Sequence, residues 1–193
     1  INKFNKKIIV DADKSLSIRF ALLASQAIGK SKGYNLLKSE DVGATINCLK
    51  KLGVRIKWDK KNDYCEINGS GLNSYDIKNN LNLNNKNSGT CARLLTALLI
   101  SSNKKIKLTG DKSLSKRDMK RIIDPLTEFG ATFYPKNKNT LPLYIKGNDY
   151  LSPIDYLELK GSSQCKSSVM LAALLTPGVT KLKCKPSRNH TEL

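Results

Sequence analysis

With 193 residues and 39% hydrophobic content, the chain can bury a core of its own, as one large domain or two small ones. Its 34 Lys+Arg against 16 Asp+Glu leave a net charge of +18, which draws anions to the surface and fits either a small anionic ligand or nucleic acid. The five cysteines (Cys48, Cys65, Cys91, Cys165, Cys184) are odd in number and form no CxxC pair, and His190 is the single histidine, so neither a disulfide framework nor a metal site is expected and a reducing, cytoplasmic setting fits.

At the start, "INKFNKK" carries no signal-peptide core, and no run along the chain approaches the roughly 20 apolar residues of a membrane-spanning helix. The cluster "KSLS" from Lys14 opens an apolar helix expected over residues 20–28, followed by a short strand in "YNLL" (34–37). "SEDVGATINCLKKLG" places Val42, Ile46 and Leu49 at helical spacing and ends on Gly53, and the strands "VRIKW" (54–58) and "YCEING" (64–69) follow, the second closed by Gly69. The same order then recurs. "NSGT" from Asn87 precedes an apolar helix (91–100), the strand "IKLT" (106–109) and an amphipathic helix marked by Met119, Ile122, Ile123, Leu126 and Gly130. The strands "ATFYP" (131–135) and "LYIKG" (143–147) complete that unit, with Gly147 at the close. A third round begins with "SSQ" from Ser162, a helix over 169–175 and the strand "TKLKC" (180–184), and stops where "SRNHTEL" lines up with the starts "SEDVG" and "SKRDM". Ser15, Ser88 and Ser163 stand 73 and then 75 residues apart, the mark of an internal repeat. With no initial Met and a third unit cut short, the chain reads as a fragment of a longer one.

The apolar helices are hydrophobic nearly all round and are expected to be buried. A helix start offers unpaired N–H groups and a partial positive charge, so it attracts phosphate and carboxylate. If the units pack about a pseudo-threefold axis, the starts at Lys14, Asn87 and Ser162 converge on one end, with Lys14, Arg19, Arg93 and Arg117 among them. Each cluster also has a simpler reading: "KSLS" as an N-cap, "NSGT" as a turn and cap. Arg93 lies within an apolar helix, where an unpaired charge is costly, so it is either a buried ion pair or an anion contact. The cysteines read as core filler and His190 as an exposed helix-start residue. A nucleic-acid module would show basic residues interleaved with aromatics; aromatics are 6% of this sequence and do not interleave along it, so no specific nucleic-acid partner is expected.

"DKSLSIR" resembles the motif "GDKSISHR", "NSGTCARLL" resembles "GNSGTTMRLL", and "GDKSLSKRDMKRIIDPLTEFGA" resembles "GDxSLxKRPMxRxxxPLxxMGA". With "SSQCKSSVMLAALL" and "SRNHTE" in the same order, the chain resembles the first part of the 5-enolpyruvylshikimate-3-phosphate synthase family of enolpyruvate transferases over nearly all its length. The resemblance implies an α/β fold: one lobe of a two-lobed inverse α/β barrel, built from three βαβαββ-type repeats with buried helices inside and sheets outside. The repeats would fall at about 14–86, 87–160 and 161–193, the third truncated and the C-terminal lobe absent.

The resemblance also implies carboxyvinyl transfer from phosphoenolpyruvate to the 5-hydroxyl of shikimate 3-phosphate, with no cofactor and no metal, by an enzyme that is a monomer when whole. Residue by residue, it implies that Lys14 contacts both substrates and that Ser15, Arg19, Ser162, Ser163, Gln164, Ser187 and Arg188 hold shikimate 3-phosphate. Asn87, Gly89, Thr90, Arg93, Arg117 and Gln164 would form the phosphoenolpyruvate side. The chain departs from the motifs at Asp11, Ala12, Ile18, Lys86 and Asp118, of which the last two flank the phosphoenolpyruvate positions and bear on glyphosate, which competes there. The related enzymes acting on UDP-N-acetylglucosamine usually carry Asn after the motif lysine and a loop cysteine; here Ser15 follows Lys14 and no cysteine neighbours Arg117.

Overall fold

The computed structural model describes residues 10–187. Helix α1 (Lys14–Gln26) starts at the polar cluster itself, because Asp13 caps it by accepting the Leu16 N–H at 2.7 Å. Strand β1 (Ile28–Tyr34) follows directly, then α2 (Glu40–Lys51), β2 (Arg55–Asp59) and β3 (Tyr64–Ser70). The strands form an antiparallel sheet in the order β1-β3-β2, with Ile28 opposite Ser70 and Lys57 opposite Glu66.

The next stretch adds β4 (Asn82–Asn84) before α3 (Gly89–Ala97), then β5 (Lys105–Thr109), a 3-10 turn at Leu114–Lys116, α4 (Lys120–Glu128), β6 (Thr132–Tyr134) and β7 (Leu143–Lys146). Its sheet has the order β4-β5-β7-β6, so β5, β7 and β6 are arranged as β1, β3 and β2 are, and β4 joins in parallel around α3. Finally β8 (Asp155–Glu158), α5 (Ser163–Ala173) and β9 (Lys181–Cys184) repeat the parallel strand-helix-strand connection.

Each sheet turns its alternate apolar residues, such as Ile67, Ile106, Leu108 and Ile145, toward the helices in one continuous core. α3 lies at its centre, between α1, α2, α4 and α5, and all nine of its residues are buried. α1 and α5 are less enclosed than their composition suggests: Leu16 and Leu23 on α1, and Met170 and Leu174 at α5, face solvent. Two glycines lock helix ends to strands. A Cβ on Gly69 would run into the carbonyl oxygens of Ala24, in the last turn of α1, and Ala27, just after it, and one on Gly147 into that of Ile100 after α3.

Several expectations are corrected. The first strand is residues 28–34 rather than 34–37: "IGKSKGY" has no strand-like alternation of its own, but β3 pairs with its whole length, and Asn35, at φ 56°, ends it. Ile28 consequently belongs to the strand and not to the preceding helix, and α3 and α5 start earlier and stop sooner than 91–100 and 169–175 suggest. β4 and β8 escape sequence reading because they are short and polar. Four cysteines are buried, but Cys184 is exposed at the end of β9 and is not core filler. Aromatic and basic residues that do not interleave along the chain do so across the second sheet, where the Lys105 ammonium stands 4.5 Å from the Tyr144 ring centre and 5.4 Å from that of Tyr134.

Candidate active site

The starts of α1, α3 and α5 are bound together by side-chain hydrogen bonds. From the second turn of α1, Arg19 donates to the Ser167 hydroxyl on α5 at 3.0 Å. The Gln164 side chain, in the first turn of α5, donates to Thr90 at 3.0 Å and accepts from Arg93 at 2.5 Å, joining α5 to the first turns of α3. Ser88 and Ser162 serve as N-caps, accepting the Cys91 and Cys165 N–H groups at 3.2 and 3.3 Å. The capping reading therefore holds for "NSGT" beside the convergence, but not for "KSLS", whose residues lie inside α1 behind the Asp13 cap.

Cations surround these starts. Lys14, the first residue of α1, pairs with Asp41 at 3.0 Å across to α2 and remains half exposed. Ser15 lies beside it, partly covered. Burial lowers the Arg19 guanidinium below its ordinary pKa, and nearby Asp13 acts in the opposite sense. Arg117, just after the 3-10 turn, donates to the Asn87 side-chain oxygen at 2.9 Å, while the Asn87 amide donates to Asp111 at 2.8 Å. Gly89 opens α3 where two guanidinium groups meet: a Cβ there would lie 3.1 Å from Nη1 of Arg93 and 3.3 Å from Nη1 of Arg117.

For Arg93, one of the two expectations fails. It is 7% exposed, yet among the described residues it has no ion pair; besides Gln164 it donates only to the Asp118 carbonyl, at 3.2 Å, and its Nε has no partner. Burial lowers its pKa most, then the positive charges of Arg121 and Arg117, with Asp118 opposing them. An unsatisfied buried donor costs about 1–3 kcal/mol. Among the described residues no carboxylate holds the side chain, so the expected buried ion pair is not found.

Helix α2 supplies the contrast. Its first turn carries Glu40 and Asp41 and its last carries Lys50 and Lys51, as the helix dipole favours. The first turns of α1, α3, α4 and α5 contain no acidic residue. Ser163 is the first residue of α5 and is engaged with neighbouring groups; Ser187 follows β9, partly buried and also engaged. Arg188 and His190 lie outside the described residues.

The sequence reading missed Asp41, Asp111 and Ser167, which partner the site's polar groups, and Arg121, whose charge acts on Arg93. The signal for Arg121 was available, since it stands in the quoted motif. No group of three or more His, Cys, Asp or Glu side chains among the described residues could hold a metal, and none of their helices is long and apolar enough to cross a membrane.

The α/β fold, with helix starts that converge on arginines held without an ion pair among the described residues, is of the enolpyruvyl transferase class. The fold alone is shared with an enolpyruvyl transferase structure from Streptomyces tendae, at a TM-score of 0.65, 15% identity and coverage of 89% of this chain and 39% of that one. The family model of EPSP synthase (3-phosphoshikimate 1-carboxyvinyltransferase) matches residues 1–193, and the chain belongs to that family. An EPSP synthase structure from Acinetobacter baumannii superposes with a TM-score of 0.88 at 36% identity, covering 97% of this chain and 42% of that one. The 3-phosphoshikimate 1-carboxyvinyltransferase of Caldicellulosiruptor saccharolyticus is 40% identical over 193 residues, and that of Petrotoga mobilis 39% over 190 residues. The chain spans 44% of the length of each of these two relatives.

Proposed function

We propose that this chain is one lobe of a two-lobed inverse α/β barrel, built from three βαβαββ-type repeats at about 14–86, 87–160 and 161–193, and that with a second lobe it transfers the carboxyvinyl group of phosphoenolpyruvate to shikimate 3-phosphate. The 5-hydroxyl oxygen adds to C2 of phosphoenolpyruvate as C3 takes a proton; the tetrahedral intermediate then loses phosphate and a C3 proton, restoring the double bond. The observation that carries this reading is the buried, carboxylate-free guanidinium of Arg93, set among helix starts joined through Gln164 and Arg19.

Ser15, Arg19, Ser162, Ser163 and Gln164 hold shikimate 3-phosphate, with Ser187 and Arg188 at its edge. Gly89 lets phosphoenolpyruvate reach the backbone between Arg93 and Arg117, with Asn87, Thr90 and Gln164 shaping the space. Lys14 serves both ligands once it leaves Asp41. Fixed guanidinium groups stabilise charge on the leaving phosphate without reorganising, which is where such a site gains rate. The proton-transferring carboxylates belong to the second lobe, so the partners are that lobe and two small anions in the cytoplasm, and this lobe alone turns nothing over.

Calorimetric titration of the chain with shikimate 3-phosphate tests the reading, run beside the double variant Arg19→Ala, Ser163→Ala. Saturable binding by the wild type and none by the folded variant is expected. Equal affinity in both would refute it.

A further inference from the structure

The segment from Ser115 to Arg121 places four cations, Lys116, Arg117, Lys120 and Arg121, around the start of α4. Cations at a helix N-terminus oppose the dipole, and the α4 start lacks the side-chain cap that α1, α2, α3 and α5 possess. Two carboxylates moderate the arrangement: Asp118 accepts the Lys120 N–H at 2.7 Å and favours the charge on Arg93, and Asp124 pairs with the Lys120 ammonium at 2.9 Å.

The backbone of this turn forms one wall of the site. The Asp118 carbonyl accepts from Arg93, and one turn later the Arg121 carbonyl accepts from the Cys165 thiol at 3.1 Å, next to Gln164. The Arg121 guanidinium is exposed and, among the described residues, has no hydrogen bond or ion pair. Five donors are thus free on a planar fork suited to a phosphate, within charge range of a buried Arg93 that also has a donor unused.

We propose that Arg121 is a third anion-binding residue, completing with Arg93 and Arg117 a three-guanidinium cradle for a phosphate group. The cradle places two exposed arginines around one fixed by burial, so a phosphate entering it replaces guanidinium repulsion with charge-assisted hydrogen bonds. On the functional reading above, on which this inference rests, the phosphate is that of phosphoenolpyruvate.

The electrostatics give a test that a structural role would fail. Removing one of three like charges relieves the empty cradle but weakens the filled one. Thermal unfolding of the 193-residue chain is followed in chloride and in inorganic phosphate at matched ionic strength, for wild type, Arg121→Gln and Arg121→Lys. In chloride, Arg121→Gln is expected to melt at or about 1–2 °C above wild type. Phosphate should raise the wild-type melting temperature with concentration, raise that of Arg121→Gln by less than half as much, and raise that of Arg121→Lys by an intermediate amount. An equal phosphate response in wild type and Arg121→Gln overturns the role of Arg121 and leaves the functional reading standing. A clear drop in the chloride melting temperature of Arg121→Gln marks a structural residue and also overturns it. A wild-type chain indifferent to phosphate overturns the cradle and its place in the functional reading together, while binding of shikimate 3-phosphate would then still uphold the other subsite.

Discussion

Replacing Gly89 with alanine separates the two ligands. The backbone of Gly89 is helical, so alanine fits its conformation, and a Gly→Ala change in a helix is worth up to roughly 0.5–1 kcal/mol of stability. Against that stands a methyl group 3.1 Å from Arg93 Nη1, 3.3 Å from Arg117 Nη1 and 3.7 Å from Leu114 Cδ1. The first two are tighter than ordinary contact, and both are ends of side chains that can yield by a few tenths of an ångström. The two effects nearly cancel, so the melting temperature should move by no more than about 2–4 °C. Binding is another matter, because on the proposed function the methyl group stands where phosphoenolpyruvate would approach and displaces the guanidinium groups that would grip it. Losing one charge-assisted hydrogen bond costs about 1.5–3 kcal/mol, a loss of roughly ten- to a hundredfold in affinity. Parallel titrations of Gly89→Ala with phosphoenolpyruvate and with shikimate 3-phosphate should show the first weakened by that factor and the second within about twofold of wild type. Unchanged affinity for phosphoenolpyruvate, or equal loss of both ligands, would refute the assignment of Gly89 to one subsite.

Gly147→Ala should do the reverse, harming the fold and not the site: its Cβ meets the carbonyl oxygens of Ile100 and Ser102, which are backbone and cannot swing away. A loss of about 3 kcal/mol, or some 6–12 °C by scanning calorimetry, is expected, and a drop under about 2 °C would contradict the close approach. Thiol labelling at pH 8 should find one fast cysteine, Cys184, in the native chain and five after denaturation. Burial pushes the Cys65 thiol up to about 11, so it stays neutral and unreactive until pH rises toward that value; rapid native labelling of Cys65 would show that β3 opens.

Elements with a strong local signal were legible in the sequence. α2 announces itself through Ser39 as cap, Val42, Ile46 and Leu49 on one face, and Gly53, at φ 84°, as its stop. β2 and β3 alternate as half-buried strands should, and Gly130 ends α4 as Gly53 ends α2. β1 was misplaced because its seven residues include two glycines and two lysines; nothing local selects a strand there, and only pairing with β3 does. Gly33 shows the tertiary constraint, since a Cβ would lie 2.6 Å from the Phe20 ring. β4 and β8 have the same origin: three or four residues gain strand geometry from a parallel neighbour that lies beyond a helix in sequence.

For the site, the sequence marked the cations well and their partners poorly, and the reason lies in the kind of force involved. A cation at a helix start is visible from spacing alone, because the helix fixes where residues three and four apart will point. Its partner is set by which helices touch, so the Arg19 bond to Ser167 spans 148 residues and the Arg93 bond to Gln164 spans 71, distances over which composition carries no register. Arg93 is the informative case, since sequence left it balanced between an ion pair and an anion contact. A structural ion pair would have brought a carboxylate to a residue that is 7% exposed; instead the fold offers an amide, a carbonyl and one empty direction. Elsewhere among the helix starts Asp41 pairs with Lys14 and Asp111 accepts from Asn87, while Asp118, whose charge acts on Arg93, meets it through its backbone carbonyl and not through its carboxylate. A buried guanidinium without an ion pair lowers the stability of the lobe, and on the proposed function a bound anion would recover that loss, tying the strength of the fold to the presence of its ligand.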